Sequence, residues 1–168
     1  MFIRHADTAG QQCDAYTKER EGQRNISPAG RDQALALGKR IATLGISLAE
    51  PILAGPVFRA RDTAELAFGA HRVKVTNSLL ADDYANGRLA WVLSEHRRLF
   101  SEPVPQGENR VLVGHRGPVQ MIFGDIVTGT RLPEAGVLVL QPLGTSGTEV
   151  LGVLEIVAAI DGGNPPCR

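Results

Sequence analysis

Two arginines and two histidines follow short apolar runs of the sequence, at three separate places. Arg4 and His5 come after the first run, Arg59 after the second and His115 after the third. If these runs are strands of one parallel sheet, their carboxyl ends share an edge, and such sheets bind ligands there. Guanidinium groups, imidazoles and helix N-termini together favour a dianion, and phosphate fits that chemistry. The four side chains are therefore predicted to converge on one phosphate-binding rim.

A histidine in such a pocket can act as the nucleophile of phosphoryl transfer. A neutral imidazole attacks phosphorus and forms a phosphohistidine, and surrounding cations keep the ring neutral because they lower the pKa of a histidine. The leaving alkoxide then needs a proton from a nearby acid. The loop Leu79–Tyr84 follows a predicted strand and supplies Asp82 and Asp83 as candidates. Arg24 is either a further pocket residue or a solvated loop arginine.

The elements that must position these residues alternate along the chain. Apolar runs predict strands at Met1–Ile3, Pro51–Ala54, Val73–Thr76 and Val111–Val113, and a terminal hairpin formed by 136–141 and 150–160. A period near 3.6 predicts helices at Pro28–Leu44, about Val57–Phe68, about Arg88–Phe100 and after Pro118. This order predicts an α/β fold, a three-layer sandwich whose mainly parallel sheet has helices on both faces and a C-terminal hairpin.

Length and composition predict one globular domain. The chain has 168 residues, is 43% hydrophobic and carries 18 basic against 18 acidic residues. We expect the domain to cover residues 1–161 and a flexible tail to cover 162–168. A net charge of zero indicates no general attraction to nucleic acid, and no apolar run approaches the roughly 18–20 residues that span a bilayer. The oligomeric state stays open.

The two cysteines and the first residues bear on the cellular compartment. Cys13 and Cys167 form neither a disulfide framework nor a zinc site, and unpaired thiols are expected rather than a single bridge. Met1–Ile3 is short for a strand, so we expect the natural chain to begin upstream. The compartment is cytoplasmic or, if a signal peptide precedes this sequence, periplasmic or secreted.

Three motifs in this order resemble one known family. They are Arg4-His5-Ala6 with Thr8, the run Gly-Pro-x-x-Arg-Ala-x-x-Thr-Ala around Arg59, and Val-Leu-Val-Gly before His115. Together they resemble the histidine phosphatase superfamily, which has the phosphoglycerate mutase-like fold. The likeness extends over nearly the whole chain, and Ile26–Gly30 is similar to the family's Leu-Ser/Thr-x-x-Gly helix start.

The resemblance implies a role for each matching residue. His5 would be the phosphorylated nucleophile, and Arg4, Arg59 and His115 would complete the phosphate pocket. Thr8 matches a position that often helps to hold the phosphate. The family's proton donor lies in the loop after the third strand, so Asp82 or Asp83 would take that role, although Asp replaces the commoner Glu. The short chain resembles the small phosphatases, including those that act on protein phosphohistidine.

The sequence therefore predicts a hydrolase of phosphomonoesters or phosphohistidine that needs neither a metal nor a cofactor. Its partner would be a small phosphorylated substrate or a phosphoprotein. Two alternatives are a phosphotransferase or mutase of the same fold, and a protein that binds phosphorylated ligands without turning them over. Intact His5 and His115 argue against the last.

Overall fold

A six-stranded sheet with two pairs of helices forms the body of the protein. The structure is a computed structural model and describes residues 1–8, 13–128 and 131–160. The strands are β1 (Phe2–Arg4), β2 (Ile52–Ala54), β3 (Val73–Val75), β4 (Leu112–Gly114), β5 (Val137–Pro142) and β6 (Thr148–Leu154). The helices are α1 (Pro28–Thr43), α2 (Phe58–Phe68), α3 (Leu89–Ser101) and α4 (Arg116–Phe123).

The strand order confirms the predicted α/β architecture. The order across the sheet is β3-β2-β4-β1-β5-β6. β3, β2, β4 and β1 are parallel to their neighbours, whereas β5 runs antiparallel to β1 and pairs with β6 as a hairpin. Parallel neighbours require crossovers, which the helices between them provide. β1 and β4 are central and adjacent, so their carboxyl ends meet in the middle of one edge.

Alternating side chains on the central strands build a core on each face of the sheet. Ile3 packs into the cluster that contains residues of α1 and α2, while its neighbour Phe2 packs into the cluster that contains residues of α3 and α4. Val113 and Leu112 of β4 divide between the same two clusters. Full burial of each such side chain contributes about 1.5–3 kcal/mol to folding. The apolar strands are therefore held between two helical layers.

α1 begins where the sequence predicts and packs very closely on α2. The Ser27 hydroxyl caps it by accepting from the Gly30 N–H at 2.8 Å, and Pro28 occupies the first turn. At Gly38 an added Cβ would lie 1.9 Å from the Ala67 carbonyl oxygen of α2. The glycine is required by this close approach of two backbones.

Two predicted elements differ from the observed ones by more than one residue at an end. α4 begins at Arg116 rather than after Pro118, and Pro118 fits the first turn because the N–H it lacks has no helical partner there. β6 ends at Leu154 rather than at residue 160. Leu154 pairs with Val137, the first residue of β5, so the strand has no partner beyond it.

The structure also bears on the expectations for Cys13, for the C-terminal tail and for membrane-spanning segments. Cys13 is disulfide-bonded, so the expectation of unpaired thiols is wrong for this residue. Cys167 and the predicted tail of residues 162–168 lie outside the described residues. Among the helices of the described ranges, none is long and apolar enough to cross a membrane.

Candidate active site

The pairing of β1 with β4 places His5 beside His115. Arg4 is paired with Gly114, and each histidine is the next residue of its strand's path. The His5 N–H donates to the Gly114 carbonyl at 3.0 Å, and the two ring centroids are 5.3 Å apart. The exposed fractions of His5 and His115 are only 3% and 4%. Two imidazoles 110 positions apart in sequence thus share one buried site.

A cavity of about 310 Å³ opens at this edge of the sheet. The residues that line it include all four predicted to converge and both candidate proton donors. They are Arg4, His5, Arg24, Arg59, Ala81, Asp82, Asp83, His115, Arg116, Gly117 and Gln120. β1 and β4 present the histidines, and the first turn of α2 presents Arg59. Arg24, which the sequence left open, belongs to the cavity wall.

The ring of His5 is oriented by its own backbone neighbour. Nδ1 lies 2.9 Å from the Ala6 carbonyl oxygen, and because a carbonyl only accepts, Nδ1 carries the proton. The lone pair is therefore on Nε2. Burial, and then the charges of His115, Arg59 and Arg4, hold the pKa of His5 well below its ordinary value. The ring is neutral and nucleophilic at neutral pH.

Buried nitrogen atoms without a protein partner surround the cavity. They belong to four of its lining residues: Arg4 Nε, Arg24 Nε, Arg59 Nε and His115 Nε2. Leaving one buried polar group unsatisfied costs about 1–3 kcal/mol, so native proteins seldom bury several together without a reason. A bound oxyanion would satisfy these atoms, since guanidinium groups donate readily to its oxygens.

Two largely buried carboxylates hold Arg59 and Arg4 in place. Asp14 accepts from Arg59 Nη1 at 2.6 Å and from the Tyr84 hydroxyl. Glu134 accepts from Arg4 Nη2 at 3.2 Å. In both arginines the carboxylate takes a terminal nitrogen and leaves Nε without a partner. Burial lowers the pKa of Arg4 to about 10, so the guanidinium is still charged at neutral pH.

Thr8 lies behind the cavity rather than along its wall. Its exposed fraction is 2%, and its hydroxyl donates to Glu134 Oε1 at 3.3 Å. It is not among the residues that line the cavity. In this structure Thr8 supports Glu134, and direct contact with a phosphate stays a prediction.

The two candidate proton donors occupy different positions at the mouth. An added Cβ on Gly117 would lie 2.1 Å from Asp82 Oδ1, so the Asp82 carboxylate sits directly on the first turn of α4. Asp83 is more exposed, and burial together with the charge of Asp82 raises its pKa. A raised pKa favours Asp83 as a proton donor at neutral pH, whereas Asp82 is the one packed against α4.

Sequence reasoning missed the two anchoring carboxylates. Asp14 lies in a polar loop and Glu134 between a proline and the start of β5, and neither belongs to a recognisable motif. Their partners are 45 and 130 positions away. Arg116 also lines the cavity, and one weak indication of it was present in the sequence. It directly follows His115, at a position where the resembled family often has a small residue.

Among residues 1–8, 13–128 and 131–160, no group of three or more histidine, cysteine, aspartate or glutamate residues could hold a metal ion.

The sequence matches the family model of the histidine phosphatase superfamily (branch 1) over residues 1–91, which is more than half of the chain. No curated protein matches it.

The fold resembles several solved structures at low sequence identity. The protein histidine phosphatase SixA complexed with tungstate has a TM-score of 0.61 at 16% identity, with 92% of this chain and 95% of that chain covered. The phosphoserine phosphatase of Entamoeba histolytica, complexed with 3-phosphoglyceric acid, gives the same four values. The mycobacterial glucosyl-3-phosphoglycerate phosphatase complexed with VO3 has a TM-score of 0.57 at 22% identity, with 89% and 94% covered. These likenesses show a common fold.

Proposed function

Because the chain belongs to branch 1 of the histidine phosphatase superfamily, we propose that it is a phosphatase that works through a phosphohistidine on His5. The observation that carries this proposal is the ring of buried, unpartnered nitrogens around a neutral imidazole. Such a pocket is preorganised for an oxyanion and offers it a nucleophile.

The first half-reaction transfers the phosphoryl group to His5. Nε2 attacks phosphorus in line with the ester bond, and Arg4, Arg59 and His115 donate to the phosphoryl oxygens as negative charge shifts among them. One such preorganised donor is worth about 10²–10³ in kcat. The P–O bond breaks, and the leaving oxygen takes a proton from Asp82 or Asp83.

The second half-reaction returns the enzyme to its starting state. The carboxylate that gave up its proton now accepts one from a water molecule, which attacks phosphorus as the Nε2–P bond breaks. Inorganic phosphate leaves and the His5 ring is neutral again. All the steps use side chains of this pocket, and none is routed through a metal ion.

The family and the structural neighbours support a phosphorylated substrate without naming it. A small phosphomonoester and the phosphohistidine of a protein both suit a pocket built for the phosphoryl group alone. The bound groups of two neighbours, tungstate and VO3, are oxyanions that resemble phosphate in shape and charge. The name of SixA as a protein histidine phosphatase supports a phosphoprotein as one substrate class.

Replacement of the nucleophile tests the proposal. His5→Ala should abolish phosphate release from an aryl phosphate in the presence of EDTA while the circular dichroism spectrum and the melting temperature remain close to those of the wild type. His71→Ala, which removes an exposed loop histidine, is the matched control and should retain full activity. Substantial activity of His5→Ala would exclude the mechanism. Transfer of the phosphoryl group to a sugar or glycerate acceptor, with no free phosphate, would identify a phosphotransferase instead.

A further inference from the structure

We propose that Glu134 is a positioning residue that supplies the counter-charge for the phosphorylated His5 ring and holds Arg4 beside it. This inference rests on the proposed function. Oε1 of Glu134 lies 3.9 Å from His5 Nδ1, accepts from Arg4 Nη2 at 3.2 Å and accepts from the Thr8 hydroxyl at 3.3 Å. One carboxylate oxygen therefore lies within ion-pair distance of the His5 ring and accepts a hydrogen bond from Arg4.

The backbone around Glu134 is locked to the end of β1. The N–H of Ala135 donates to the His5 carbonyl at 3.0 Å, and the N–H of Gly136 donates to the Pro133 carbonyl at 2.9 Å. Ala135 has a φ of 59°, a left-handed conformation that costs a residue with a Cβ free energy and that persists where surrounding contacts enforce it. This turn directs Glu134 inward, where the exposed fraction of its side chain is 13%.

Glu134 approaches the ring from the side opposite to the reaction. Nδ1 carries the proton and donates to the Ala6 carbonyl, so the attacking lone pair on Nε2 points the other way. Glu134 therefore cannot reach the leaving oxygen, and it is not the proton donor of the first step. Asp82 and Asp83, at the cavity mouth, remain the candidates for that role.

The charge of the His5 ring changes during the reaction, and Glu134 acts at the stage when the ring is positively charged. When Nε2 bonds to phosphorus and the ester P–O bond breaks, the ring keeps its Nδ1 proton and becomes cationic. When water then attacks phosphorus, the Nε2–P bond breaks and the ring is neutral again. A fixed carboxylate near Nδ1 stabilises the positively charged ring more than the neutral ring. It therefore lowers the barrier to phosphorylation.

Two other carboxylates lie near the site and have partners of their own. Asp14 binds Arg59, while Asp7 accepts from the Ser27 hydroxyl and also interacts with Glu134. Among the described residues, Glu134 is the carboxylate recorded within 4 Å of His5. Burial and the neighbouring Asp7 carboxylate raise the pKa of Glu134, and the charge of Arg4 opposes that shift.

The test is Glu134→Gln, which keeps the size and an oxygen acceptor but removes the charge. With an aryl phosphate we expect kcat to fall by about 10- to 100-fold. Inorganic phosphate should bind as tightly as in the wild type or more tightly, because the amide oxygen of Gln still accepts from Arg4 while a negative charge has left a cationic pocket. Rapid acid-free quenching should show slower formation and lower steady-state occupancy of phosphohistidine. Glu134→Asp retains the charge and should recover part of kcat.

The matched control is Glu65→Gln, which removes a carboxylate paired with Arg61 on the exposed side of α2 and should change neither constant. A purely structural role of Glu134 would weaken phosphate binding together with kcat, and that result would overturn the inference. Unchanged kcat in Glu134→Gln would overturn it as well. A wild-type protein that binds phosphate but forms no phosphohistidine would instead overturn the proposed function.

Discussion

Substitutions in the buried Arg59–Asp14 pair allow two quantities to be measured separately. They are the stability of the protein and its expected affinity for an oxyanion. The two side chains are 4% and 10% exposed, and Nη1 of Arg59 lies 2.6 Å from Asp14 Oδ2. Arg59 Nε is buried without a partner and faces the same cavity wall as Arg4 and His115. Replacing Arg59 by Met keeps most of the volume and removes both the anchor of Asp14 and a donor to the oxyanion.

The Arg59→Met substitution should change the affinity for phosphate and the free energy of unfolding by different amounts. Loss of one charged hydrogen bond from Nε weakens phosphate binding by about 1.5–3 kcal/mol, which is about a 10- to 150-fold rise in Kd. Loss of the cation also leaves the largely buried Asp14 carboxylate with the Tyr84 hydroxyl and the Tyr16 N–H as its donors among the described residues. Removing one partner of a buried ion pair costs about 3–5 kcal/mol of unfolding free energy.

A second substitution resolves the two effects. Asp14→Asn in the Arg59→Met background removes the uncompensated charge while an amide oxygen still accepts from Tyr84, so the unfolding free energy should return to within about 1 kcal/mol of the wild type. The affinity for phosphate should stay at the level of the single variant, because the donor is still missing. Urea unfolding and isothermal titration calorimetry with inorganic phosphate measure the two quantities.

Two results would refute this reasoning. Phosphate binding by Arg59→Met within about threefold of the wild type would show that Arg59 does not contact the oxyanion. A double variant as unstable as the single one would show that the Asp14 charge is not the source of the instability. Asp14→Asn alone is the control, and it should bind phosphate at least as tightly as the wild type.

Three further predictions concern packing, proton donation and pH. Gly38→Ala should lower the unfolding free energy by about 3 kcal/mol in urea titrations, because its Cβ meets a backbone carbonyl of α2; a neutral result would contradict the close helix contact. Gly117→Ala should displace Asp82 and slow hydrolysis of alkyl more than aryl phosphates, with little change in melting temperature; equal effects would exclude Asp82 as the donor. The pKa values of His5 and His115 lie well below 6.5 in the folded state, so the unfolded chain takes up more protons as pH falls below that value. Their combined contribution should cost about 2 kcal/mol of stability between pH 7 and 5.5, and His115→Asn should remove about half of that loss.

Local sequence patterns were sufficient to predict the elements and four of the side chains that line the cavity. Ser27 and Pro28 mark the start of α1 through capping and a fixed φ, which depend on a few neighbouring residues only. The alternation of apolar runs and helical patterns likewise predicted the layered α/β fold. Arg4 and His5 follow a strand, and that position alone brings a side chain to the ligand-binding edge of a parallel sheet.

The ends of some strands depend on pairing with distant strands, and the local sequence pattern carries no information about that pairing. β6 stops at Leu154 because β5 offers no residue to pair with beyond Val137. Residues 155–160 are as apolar as a strand, so their composition could not reveal the missing partner. The same limit applies to Cys13, whose disulfide bond the local sequence does not reveal.

The sequence by itself determined which side chains reach the ligand-binding edge of the sheet, because residue type and the preceding strand carry that information locally. Only the tertiary structure decided how the chemistry is held: the register that pairs Arg4 with Gly114, the clamp of Asp14 on Arg59 and the approach of Glu134 to His5. Each of these contacts joins residues at least 45 positions apart. An ion pair or a strand register depends on distances in space, and those distances exist only after the sheet and its loops have packed together.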